Sequence, residues 1–109
     1  MPVTQYIDNQ AQPKVYRALL TQTGTNAPVA TVVHNSLGGI PVWTRNAAGE
    51  YLITLTGAFP VGKTTMNMKY LDQNIIMDFW NQPDQLFIKN FNNTDDYMLD
   101  LPVEILVYL

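Results

Sequence analysis

The chain has no cysteine, one histidine (His34) and one serine (Ser36). Disulfides, thiol nucleophiles and zinc–thiolate sites are therefore excluded. A single histidine also leaves no His-based metal cluster and no Ser-His-Asp arrangement, so any acid–base chemistry would rest on carboxylates. Charge is scarce as well. Asp, Glu, Lys and Arg make up 14% of the chain, against roughly 25% in ordinary soluble domains. The six basic residues, Lys14, Arg17, Arg45, Lys63, Lys69 and Lys89, are scattered, and the formal charge is −3. A nucleic-acid partner is not expected, because phosphate backbones call for clustered cations. No apolar run approaches the ~20 residues of a membrane helix. Residues 1–12, MPVTQYIDNQAQ, lack the basic start and apolar run of a secretory signal. Nor does any window carry the i, i+3, i+4 apolar stripe of a helix.

What remains is a sequence of strands and turns. The length of 109 residues fits one domain with one core, and 47% hydrophobic content is enough to fill it. Tyr51, Ile53 and Leu55 alternate with Leu52, Thr54 and Thr56, the period of a strand. IPVWTR (40–45) is its partner across NAAGE (46–50), a Gly-containing hairpin loop. Further strand runs are residues 13–24, 29–35, 64–71, 74–81, 85–91 and 101–109, with Pro83-Asp84 as a turn. Turn residues recur about every ten positions, the rhythm of an all-β sandwich or barrel. The expected fold is one antiparallel β-sandwich of seven to eight strands, Greek-key or jelly-roll-like, over residues 13–109. Residues 1–12 are expected to form an extended arm that orders against a partner.

Residues 57–64, GAFPVGKT, spell the phosphate-loop pattern G-x-x-x-x-G-K-[ST]. The physics of that motif requires a helix beginning at the Lys-Thr, so that backbone N–H groups and the helix N-terminus cradle phosphate. Here Thr64–Tyr70 alternates at period two and is poor in helix formers. Only the nine residues Thr65–Gln73 separate the loop from the next apolar run, NIIMD. A parallel crossover needs a dozen or more. Pro60 has no N–H to offer. The stretch is expected to be a turn between strands, with no nucleotide or other cofactor.

Two other groups stand out. Asp95, Asp96 and Asp100 with Asn92 and Asn93 form an acidic cluster in NNTDDYMLD. It could hold a hard cation but lacks the order of a calcium loop, and Asn and Asp dominate turns in any case. Trp43, Tyr51 and Trp80 are candidates for a ligand-stacking platform such as a carbohydrate-binding module would use, set against core packing. No catalytic and no metal-binding residue is assigned.

Several segments resemble a group of short all-β proteins of tailed bacteriophages: VYRALLTQTGTNAPVATV (15–32), NSLGG (35–39), Trp43 with GEYLITLTGAF (49–59), Lys63-Thr64, and PVEILVY (102–108). The resemblance implies a virion-associated structural subunit, such as a head fibre, decoration or accessory protein, without enzymatic activity. Its partners would be copies of itself, as a dimer or trimer, and capsid or other virion proteins. Such a subunit is made in the host bacterial cytoplasm and ends in the virion. An exposed strand edge invites pairing with a neighbouring copy. The C-terminal run, with Val103, Ile105, Val107 and Leu109 on one face, is the expected oligomer edge.

Overall fold

In a computed structural model, residues 12–68, 77–90 and 94–108 are described. They form eight strands: β1 (Lys14–Thr21), β2 (Val29–Asn35), β3 (Val42–Ala47), β4 (Glu50–Thr54), β5 (Thr64–Met68), β6 (Met77–Gln82), β7 (Gln85–Asn90) and β8 (Leu101–Val107). No helix occurs among the described residues. The strands build two antiparallel four-stranded sheets, in the orders β2-β1-β8-β5 and β3-β4-β7-β6. The all-β sandwich expected from the sequence is what the chain forms. β5 and β6 touch at one margin of the sandwich; toward the other, Trp43 of β3 lies against Tyr16 of β1, and β2 is exposed on both faces. Around the two sheets, β5, β6 and β7 follow one another and β8 returns beside β5, which is Greek-key order.

Period-two alternation turns one face of each sheet inward. Tyr16, Ala18 and Leu20 of β1 stand opposite Ile105, Val103 and Leu101 of β8 on the first sheet, and buried Val107 continues that face. Trp43, Tyr51, Ile53, Leu86 and Ile88 face them from the second. Leu37, Phe59 and Met98 close the core from the connections between strands. Burying one such side chain is worth about 1.5–3 kcal/mol. The hairpins use the turn residues that the sequence offers. Gly49, at φ 74, lets the chain reverse between β3 and β4 beside a register shift at Arg45/Ala47. Pro83-Asp84 joins β6 to β7.

One expectation is corrected. β8 is not an edge strand. It pairs with β1 on one side and β5 on the other, and Val103, Ile105 and Val107 lie in the core. Their alternation with Pro102, Glu104 and Leu106 is that of a central strand with one face packed. Leu109 and residues 1–11 of the expected arm lie outside the described residues.

Candidate functional site

The phosphate-loop lookalike is a crossover between sheets. Residues 57–63 carry the chain from the end of β4 to the start of β5, and Thr64 is the first residue of a strand. Several of the loop's backbone groups are paired within the fold. Gly57 N donates to Asp84 Oδ1 at 2.6 Å, Phe59 N to Pro83 O at 2.9 Å, and Lys63 N to Pro60 O at 3.2 Å. The Thr64 hydroxyl donates to Pro60 O at 2.9 Å. Phe59 is fully buried and pins the loop to the core.

Of the three aromatics considered as a stacking platform, two are core residues. Trp43 is 8% exposed and Tyr51 1%. Trp43 Nε1 donates to the Tyr16 hydroxyl at 3.1 Å across the gap between the sheets. Both lie on the inward-facing parity of their strands, which closes them to an external ligand. Trp80 takes part in β6 through its backbone, and its side chain lies outside what the structure describes.

The acidic cluster serves as a latch. Asp95 forms a two-pronged ion pair with Arg45 of β3, with Nε at 3.2 Å from Oδ1 and Nη2 at 2.9 Å from Oδ2. The Tyr51 hydroxyl lies 2.7 Å from the same Oδ1 and 3.0 Å from Gln22 Oε1. Gln22, buried, also accepts from Asp96 N at 2.9 Å and donates to the carbonyls of Gly24 and Asn26. Asp96 Oδ1 accepts from Gly24 N at 2.6 Å, and Asp100 N donates to the Thr21 hydroxyl at 3.1 Å. The Arg45 guanidinium, helped by the Tyr51 hydroxyl and Gly49 N–H, holds the Asp95 carboxyl down at about 2. Burial, followed by the adjacent carboxylate, holds the Tyr51 proton on well above the ordinary range for tyrosine. The residues between β7 and β8 are thereby tied to both sheets. Among the described residues no three acidic or histidine side chains are grouped to hold a metal. Asn92 and Asn93 lie outside the described residues.

On the outer face of the first sheet, Arg17 and Glu104 pair at 2.7 Å. They border an open, mostly apolar depression of about 460 Å³ with Leu19, Val33, Asn67 and Pro102.

β2 and the residues that follow it carry several exposed apolar side chains. Among the described residues β2 is hydrogen-bonded to β1 alone, so within them its other side has no strand partner. Its residues are exposed throughout except for the half-buried Ala30. Val29 is 67% exposed, Val32 50%, Val33 68%, Ile40 84% and Val42 59%. Five exposed aliphatic side chains thus fall within a single fourteen-residue segment, 29–42. Val33 is the extra residue of a bulge, since Arg17 stands opposite His34 and Ala18 opposite Val32. No sequence signal separated β2 from the other apolar strands, because its lack of charge reads equally as a strand buried on both faces. No protein-family model, no curated protein and no solved structure matches this chain.

Proposed function

We propose that the protein is a structural subunit of a tailed-bacteriophage particle, assembling with copies of itself and attaching to capsid components. In this reading it performs no reaction and needs no cofactor. The observation that supports it is β2, a sheet edge among the described residues that carries exposed Val29, Val32 and Val33, with Ile40 and Val42 exposed further along the chain. Monomeric proteins blunt such edges with charge, proline or cover, and contiguous apolar surface marks sites of association. β2, VATVVHN, holds no proline and no Asp, Glu, Lys or Arg. The resemblance in residues 15–32, 35–39, 43, 49–59, 63–64 and 102–108 supplies the setting of a phage particle. A core closed between two sheets and a loop latched by Arg45–Asp95 suit a component that must persist outside the cell.

Sedimentation equilibrium of the purified protein over a wide concentration range tests the proposal. The expected result is a dimer or trimer. A single species of 12.3 kDa up to millimolar concentration would contradict it.

A further inference from the structure

Self-assembly, as proposed for this chain, has a definite geometry available to it. Taking that reading as its basis, we infer that two copies pair β2 against β2, antiparallel, about a two-fold axis perpendicular to the first sheet. The two four-stranded sheets then become one continuous sheet of eight.

Among the described residues four strands lie at sheet margins: β2, β3, β5 and β6. β5 and β6 share a margin and touch each other. β3 carries Arg45, and β6 carries Asp78 in its sequence. β5 is only five residues long. β2 is the longest of the four, at seven residues, and has no charged residue. That absence selects the occupant. An isologous antiparallel pair sets each residue opposite a residue of the same strand, so any lysine or carboxylate would face like charge near the axis. Val29–Asn35 meets its own copy without that penalty and matches valine to valine. It also presents nothing to attract a charged partner.

The bulge leaves room for this. It sits at Val33, so Val29–Val32 keeps regular register against Thr21–Ala18 and projects a straight edge.

Symmetry gives the pairing a sharp signature. With the axis perpendicular to the sheet, one residue of β2 stands opposite itself. Its Cα–Cα distance is then about 4.5–5.5 Å, within disulfide reach. The next residue and its own copy are two positions out of register, about 8 Å apart and beyond that reach.

The chain has no cysteine, so single cysteines can be placed at positions 29 to 33 in turn and oxidised mildly. The expected result is covalent dimer at one position, about tenfold above its neighbours. Equal yield at all five positions, or dimer at none, would overturn the pairing. The mass of the unmodified protein separates the β2 pairing from self-assembly in general. An oligomer without a cross-linking position, or a trimer, would overturn the β2 pairing and leave self-assembly standing. A monomer at every concentration would overturn both.

Discussion

β1 lies between two apolar strands with opposite environments. On one side β8, LPVEILV, alternates between buried and half-exposed positions, and Val103, Ile105 and Val107 sit in the core. On the other side β2, VATVVHN, is exposed along almost its whole length. Both strands bond to the same neighbour and both are rich in β-branched residues. The difference lies in what covers them. β8 has β5 beside it and the second sheet beneath it, whereas β2 ends the sheet. Apolar character alone therefore gives no position in a sheet. An apolar strand at the centre of a sheet is core, and one at its margin is left exposed.

The largest expected effect breaks the comparison from the β8 side. Ile105→Ala removes a fully buried side chain and is expected to cost about 2–5 kcal/mol, from lost transfer energy and the cavity left behind. The matching change on β2, Val33→Ala, is expected to stay within ~0.5 kcal/mol in dilute protein. Urea unfolding of the two variants side by side measures both. Equal costs would mean that β2 is covered within the single chain.

Next in size is the latch between β7 and β8. Asp95→Asn removes the ion pair with Arg45 and is expected to lower Tm by several degrees at neutral pH, less than Ile105→Ala. It is also expected to change the acid response. The Asp95 carboxyl titrates at about 2 in the fold, below its ordinary value of 3.8. Its contribution is therefore fully present above about pH 4 and is lost as pH falls toward 2. Thermal melts across that window should show a shallower fall for Asp95→Asn than for the unmodified chain. Parallel curves would mean that the pair adds nothing to stability.

The smallest effects concern the loop at 57–64. Gly62 has φ 82, so Gly62→Ala forces a left-handed backbone on a residue with a Cβ, at a cost of about 1–2 kcal/mol. Lys63→Ala, at an exposed position, is expected to change stability by less than ~0.5 kcal/mol. Calorimetry with Mg-ATP on the unmodified protein is expected to register no binding. Heat of binding in the micromolar range that disappears in Lys63→Ala would restore the nucleotide reading.

Much of the fold was legible along the chain, because strands announce themselves locally. The alternation of Tyr51, Ile53 and Leu55, the Pro83-Asp84 turn and the strand that begins at Thr64 all survive in the structure. The site was less legible, for a physical reason. Which strand ends a sheet depends on pairings between distant segments, and neither β2 nor β8 carries a mark of its neighbours. The Arg45–Asp95–Tyr51 cluster joins residues up to fifty positions apart, so the acidic run looked like an ordinary turn. Trp43 and Tyr51 could be placed on strands from sequence. Their inward parity comes from the strand pairing, which sets Trp43 opposite the buried Ile53.

The most direct test of the central claim, that the β2 margin is the assembling surface, is sedimentation equilibrium of the unmodified protein beside a Val29→Lys/Val33→Lys double variant. Both positions are exposed in the single chain, so the fold should tolerate the change. The lysines would place like charges on both copies at the proposed contact. The expected result is an oligomer for the unmodified chain and a folded 12.3 kDa monomer for the variant over the same concentrations. An oligomer of unchanged mass and affinity in the variant would contradict the claim and move the assembling surface elsewhere.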